Sequence, residues 1–128
     1  MNLLLDTHVA LWAVTDSAEL SGRARGLILD PGNTPWVSAV SVWEIAIKHA
    51  LSARRMSVGA DEARISFEEA GYRSLAVEPE HAVAVESLSD YHRDPFDRML
   101  IAQAIVESMF LVTHDALLGK YSERVLVV

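Results

Sequence analysis

Four carboxylates stand out by position: Asp6, Glu44, Asp97 and Asp115. Asp6 directly follows Leu3-Leu4-Leu5, Asp115 follows Phe110-Leu111-Val112-Thr113-His114, and Glu44 and Asp97 fall in the opening turns of apolar, helix-like stretches. Brought together, four carboxylates repel one another, and without a cation at least one of them holds a proton. A divalent hard cation removes that repulsion. Mg²⁺ or Mn²⁺ suits an all-oxygen donor set, because these ions keep several waters and bridge to phosphate oxygens. The chain has no cysteine, which excludes thiolate zinc and iron–sulfur ligation and leaves oxygen or imidazole as metal ligands.

Each acid also has a local structural role open to it. Asp6 can cap a helix over 7–14. Ser41-x-x-Glu44 reads as a capping box, and Glu44 with Lys48 is a favourable i,i+4 pair. Asp94, placed before Pro95, is the expected N-cap of the next apolar helix, leaving Asp97 at its third position in the field of the N-terminus. Asp115 can cap a short turn over 116–118. Four caps require no common location, so the metal reading depends on whether the fold gathers them.

The elements that would do so are legible in outline. Short apolar runs at 3–5, 36–40, 75–77, 109–113 and 125–128 read as buried strands. Between them lie helical patterns at 7–14, 21–29, 41–52, 61–70 with Gly71 closing it, 80–88 opened by Pro79, and 99–106. The strongest of these is 41–52, where Trp43, Ala46, Ile47, Ala50 and Leu51 recur at helical spacing and predict a core-facing stripe. Asp30-Pro31-Gly32-Asn33 is a loop by its turn chemistry. Strands alternating with helices predict a single three-layer α/β/α domain over residues 1–128, with a central parallel sheet of about five strands. In such a sheet the functional crevice lies beyond the carboxyl ends of the strands, at the switch in strand order. If the first and fourth strands meet there, Asp6 and Asp115 emerge side by side.

Composition bounds the rest. With 128 residues, 51% hydrophobic and 23% charged, the chain is an ordinary globular domain. Its N-terminus has no basic stretch before the leucines, so no signal peptide is expected, and the longest apolar run, 9–14, is far below the roughly 20 residues that span a bilayer. A soluble cytoplasmic protein is the expectation. The net charge of −7 argues at first against a nucleic-acid partner.

The blocks Leu4-Leu5-Asp6-Thr7-His8, Ser38-x-x-Ser41-x-Trp43-Glu44-Ile45-Ala46-Ile47-Lys48, Asp94-Pro95-Phe96-Asp97-Arg98-Met99-Leu100-Ile101-Ala102-Gln103-Ala104 and Leu111-Val112-Thr113-x-Asp115 resemble, in order and spacing, those of PIN-domain ribonucleases. They are most similar to the VapC-type toxins of prokaryotic toxin–antitoxin pairs. The resemblance spans nearly the whole chain and maps the family's acidic quartet onto Asp6, Glu44, Asp97 and Asp115, as catalytic and metal-binding residues. It implies a Mg²⁺-dependent endoribonuclease, with Mn²⁺ substituting, that leaves a 5′-phosphate and a 3′-hydroxyl. It also implies a homodimer held inactive by a cognate antitoxin, whose C-terminal segment covers the acidic site. Thr113 falls where the family has a hydroxyl supporting the metal or its water, and Asp94 is a cap that can assist the site. Residues 53–73 match little of the pattern. Two other readings are a Mg²⁺-dependent phosphatase using Asp6 as nucleophile, for which His8 stands where a second aspartate is usual, and a non-catalytic module on the same fold.

On the nuclease reading the charge changes meaning. Setting the four acids aside leaves a balance of −3, so over half of the excess acidity is metal-site charge. Arg54, Arg55, Arg93 and Arg98 are then the basic residues expected to meet an RNA backbone. No histidine is required as a general base, so the five histidines can remain structural.

Overall fold

The computed structural model describes residues 1–128. Strand β1 (Asn2–Leu5) leads into helix α1 (Thr7–Val14). Then come α2 (Gly22–Leu29), β2 (Thr34–Ser38), α3 (Ala39–Leu51), α4 (Ala60–Glu69), β3 (Arg73–Leu75) and α5 (Pro79–Val85). The chain closes with α6 (Pro95–Val106), β4 (Phe110–Thr113), a 3₁₀ turn (Ala116–Lys120) and β5 (Val125–Val127). The five strands form one sheet in the order β3-β2-β1-β4-β5, and every pairing is parallel. The chain therefore builds outward from β1 through β2 to β3, then crosses over to β4 and β5 on the other side. Leu4 of β1 pairs with Trp36 of β2 on one edge and with Leu111 of β4 on the other, so the order reverses at the β1–β4 boundary. This is the expected α/β architecture with its expected switch point.

The sheet is covered on both faces because β1 alternates between two apolar layers. Leu3 and Leu5 join Val9, Ala10, Ile45, Ala63 and Phe67 in one cluster. Leu4 joins Val40, Leu100, Ile101, Leu111 and Leu118 in the other. All three leucines are fully buried, each contributing on the order of 1.5–3 kcal/mol by removal from water. Gly71 follows α4 at φ +82°, the left-handed conformation that closes a helix without a Cβ clash.

Two expected boundaries move, for identifiable reasons. The second strand ends at Ser38, two residues early, because the Ser38 hydroxyl accepts from the Val40 N–H at 3.0 Å and starts α3 there. Ser41 therefore lies inside the helix, and the expected Ser41–Glu44 capping box does not form. The third strand covers 73–75 rather than 75–77. It is an edge strand, and its Arg73 and Ser74 are exposed, so its pattern is more polar than that of a central strand.

The orientation of α3 also reverses the expectation from its periodicity. Trp43 and Leu51 are 59% and 67% exposed, whereas Val40, Ser41, Glu44 and Ile45 face inward. The buried stripe carries two polar groups because this helix delivers Glu44 to the interior, which leaves its most apolar stripe outside. No helix is long and apolar enough to cross a membrane.

Candidate metal centre

Beyond the carboxyl ends of β1 and β4 lies a cleft of about 230 Å³ with no hydrophobic residue in its lining. Asp6, Glu44, Asp94, Asp97 and Asp115 all border it, together with Thr7, His8, Lys48, His92 and His114. The four quartet acids and Asp94 thus share one location, which four independent helix caps would not require.

Most of these acids cap an element and reach the cleft at once. Asp6 uses Oδ1 to accept from the Val9 N–H at 2.8 Å, capping α1, while its Oδ2 accepts from the Thr113 hydroxyl at 2.5 Å. Thr113 Oγ1 in turn accepts from the Asp115 N–H at 3.1 Å, so one buried threonine ties the acid after β1 to the acid after β4. Asp115 caps the 3₁₀ turn through Oδ1 on Leu117 N–H at 2.9 Å. Asp94 accepts from the N–H groups of Phe96 and Asp97 at 2.8 and 3.4 Å and starts α6. Asp97 makes no cap and sits one turn along α6, as expected.

Glu44 is held differently. It is 3% exposed, accepts from the Thr7 hydroxyl at 2.6 Å, and forms an ion pair with Lys48. The Thr7 hydroxyl also lies 2.9 Å from the Ser41 hydroxyl. Lys48 sets its ammonium against the buried acids, and a cation in that place offsets repulsion that water cannot screen.

The electrostatics record the crowding. Asp97 has its pKa raised from 3.8 to about 7, first by burial and then by the negative charges of Asp94, Asp6 and Glu44. His114, with Nδ1 3.6 Å from Asp6 Oδ2, has its pKa raised chiefly by its hydrogen bond to Asp6, against the opposing effect of burial. A carboxyl whose pKa is raised by burial and by neighbouring acids marks a site short of positive charge. The oxygen-rich donor set and that deficit fit a hard divalent cation.

Some cleft residues went unnoticed in the sequence, and some candidates lie elsewhere. His8 and His92 border the cleft without having stood out in the sequence, and His114, beside Asp115 in the last block, borders it too. The clue for His92 was its place two residues before Asp94. The clue for Lys48 was its i,i+4 spacing from Glu44. Arg98 is not free to meet a nucleic acid: its guanidinium donates to the carbonyls of Ser89, Val85 and His92 and to Tyr121 Oη. It fastens the loop that carries His92. Arg54, Arg55 and Arg93 are exposed. A larger apolar groove of about 520 Å³ lies away from the acids, beside Trp43, Phe67 and Tyr72.

Asp94→Ala should cost about 1 kcal/mol of stability by removing the α6 cap, and Asp94→Asn should restore most of it. Urea denaturation of the three proteins checks this, and equal loss in both variants contradicts the capping role.

The arrangement of a parallel α/β sheet with acids gathered at its switch point matches the PIN domain, whose family pattern covers residues 3–123, and the chain belongs to that family. PIN domains are typically nucleases that use divalent metals. Among solved structures it is similar to VapBC2 from Rickettsia felis bound to a promoter DNA fragment, with TM-score 0.69 and 13% identity over 100% of this chain and 98% of that one. A toxin–antitoxin complex from Klebsiella pneumoniae matches with TM-score 0.65 and 14% identity, over 98% and 96% of the two chains. FitAcB from Neisseria gonorrhoeae matches with TM-score 0.57 and 19% identity, over 91% and 89%. At these identities the shared property is the fold. No curated protein sequence matches the chain.

Proposed function

We propose that this PIN domain is a Mg²⁺-dependent endoribonuclease acting in the cytoplasm as the toxin of a toxin–antitoxin pair. The observation that carries the reading is the convergence of Asp6, Glu44, Asp97 and Asp115 in one polar cleft at the strand switch point. The resemblance of the four sequence blocks to VapC-type toxins supports the same reading. So do the structural neighbours solved as VapBC2 and as a toxin–antitoxin complex.

The four acids would hold the cation, and Mn²⁺ would be able to replace Mg²⁺. When bound, such an ion acts as a Lewis acid on the phosphodiester and lowers the pKa of a bound water. The protein's own contribution is placement and charge. Thr113 fixes the Asp6 carboxylate, and Thr7 and Lys48 fix Glu44. Positive charge in the cleft would favour the ionised form of Asp97, whose pKa is raised to about 7 in its absence. Lys48 brings positive charge to the cleft lining, and Arg54, Arg55 and Arg93 are exposed cations available to a polyanion.

The partners in this reading are an RNA substrate, a second copy of the chain and a cognate antitoxin. The apolar groove lined by Val42, Trp43, Ala46, Phe67, Tyr72 and Leu75, with Arg64 and Glu68 also in its lining, offers a seat for an antitoxin segment. Its exposed Trp43 is an anchor of the kind that dominates interfaces.

Incubating the purified chain with single-stranded RNA, with Mg²⁺, Mn²⁺ or a chelator, tests the activity. Cleavage that requires the cation and leaves 5′-phosphate ends is expected. Chelator-resistant cleavage, or ends carrying a cyclic phosphate, contradicts the mechanism. Rapid hydrolysis of a simple phosphate monoester with intact RNA favours the phosphatase reading instead.

A further inference from the structure

His92 lies in the loop between α5 and α6, outside the acidic quartet. Its Nε2 is 3.0 Å from Asp115 Oδ2 and 3.4 Å from Asp97 Oδ2. By spacing alone the three side chains make a metal-binding group, since their donor atoms lie within 4.8 Å of one another. The other ring nitrogen decides otherwise. The backbone N–H of Asp94 donates to His92 Nδ1 at 3.0 Å, so Nδ1 presents a lone pair and carries no proton. A neutral imidazole has one N–H, which must then sit on Nε2. An Nε2–H that donates to Asp115 Oδ2 at 3.0 Å, with Asp97 Oδ2 3.4 Å away, has no lone pair left for a cation.

The ring is also held in place from behind. The His92 N–H donates to Tyr121 Oη at 2.7 Å, and the His92 carbonyl accepts from Arg98 at 3.3 Å. Arg98 donates to the same Tyr121 hydroxyl at 3.2 Å. The side chain is 18% exposed, and its polar contacts in the cleft are Asp94, Asp97 and Asp115. These three belong to the N-terminus of α6 and to the turn after β4, two elements that the Arg98–Tyr121 hydrogen bond also joins from behind.

We infer that His92 is a positioning residue: its Nε2–H, bonded to Asp115 and 3.4 Å from Asp97, acts as a clamp that sets the separation of two metal-binding carboxylates, without itself ligating the ion. The inference rests on the metal-binding reading of the cleft. Groups that hydrogen-bond to metal ligands fix their orientation, and losing one typically costs about 10–100-fold in metal affinity.

Three measurements test it. In the metal-free protein labelled with ¹⁵N-histidine, the His92 ring, identified by its absence in His92→Gln, is expected to show the Nε2–H tautomer, and an Nδ1–H tautomer overturns the inference. In calorimetric Mn²⁺ titrations, His92→Ala is expected to weaken binding about 10–100-fold. His92→Gln, whose amide N–H can take the place of Nε2–H, should stay much closer to wild type. An unchanged affinity in His92→Ala overturns the clamp. If that variant fails to fold, a glutamine variant as weak as a non-binder overturns it. In the Mn²⁺-loaded protein, pulsed electron paramagnetic resonance is expected to show no directly bound ¹⁴N from His92. A ¹⁴N coupling present in wild type and lost in His92→Gln makes the residue a ligand and overturns the proposal. A wild type that binds no Mn²⁺ at all fails the underlying reading of the cleft. A wild type that binds beside an unaffected His92→Ala fails the clamp alone.

Discussion

Asp6→Asn is expected to lower cation-dependent RNA cleavage by about a thousandfold or more while leaving the fold intact. The size follows from what the residue would hold: Lewis-acid stabilisation by a metal is worth several kcal/mol, and each 1.36 kcal/mol is a factor of ten in rate. The fold survives because asparagine reproduces the structural half of Asp6. Its carbonyl oxygen can accept from the Val9 N–H as Asp6 Oδ1 does at 2.8 Å, and asparagine is as good an N-cap as aspartate. On the other branch, the Thr113 hydroxyl now donates to Asp6 Oδ2 and accepts from the Asp115 N–H. With an amide NH₂ in place of Oδ2, that hydroxyl turns and accepts from both sides. What disappears is one negative charge at the base of the cleft. Mn²⁺ should therefore raise the melting temperature of wild type and raise that of the variant much less, since a ligand stabilises only the state that binds it. Full RNA cleavage by a clean preparation of Asp6→Asn removes Asp6 from the metal centre. Lost cleavage with a collapsed melting temperature makes its role one of capping alone.

The capping and catalytic readings of these acids compete in the sequence, and the fold reconciles them. A helix starting at the carboxyl end of a parallel strand needs a cap exactly where the crevice opens, so Asp6 and Asp115 serve the backbone with one oxygen and face a cleft neighbour with the other. Alternation of short apolar runs with helical patterns was enough for the sheet, because burial on both faces demands such runs. It misplaced α3, because periodicity assumes that the inward stripe of a helix is its most apolar one. Here the inward stripe carries Ser41 and Glu44, and Trp43 is left outside. His92 was illegible for another reason. Its role depends on the path of the 86–94 loop, fastened by Arg98 of the helix that follows and by Tyr121 from a distant part of the chain, and the loop's own sequence does not encode that path.

Asp97→Asn should make the metal-free protein more stable at pH 8, by as much as about 4 kcal/mol, while removing its response to Mn²⁺. Asp97 is the acid most penalised by its surroundings, with a side chain only 21% exposed and a pKa raised from 3.8 to about 7 by burial and by Asp94, Asp6 and Glu44. A carboxyl whose pKa is raised on folding binds more protons in the native state, so stability falls as pH rises between the two values. Below about pH 4 the group is protonated in both states and nothing is lost. Above about pH 7 it is ionised in both, and the full penalty applies, roughly three pKa units at 1.36 kcal/mol each. Asparagine resembles the protonated acid and never carries the charge, so its stability should lack this slope. His114, with its pKa also raised, adds loss of stability with rising pH in both proteins and so largely drops out of their difference. Urea denaturation in chelator at pH 5 and pH 8 measures that difference, and parallel pH profiles for the two proteins contradict the burden assigned to Asp97. With Mn²⁺ at a hundred times its dissociation constant the gap should narrow by more than half. At that concentration a cation adds about 2.7 kcal/mol to the protein that binds it, a figure that already includes any relief of the penalty on Asp97. The variant, lacking the charge, should gain little. A cluster of carboxylates that weakens the empty protein and is relieved by a cation is what a metal centre requires, and this narrowing separates it from a set of helix caps, which would be indifferent to the ion.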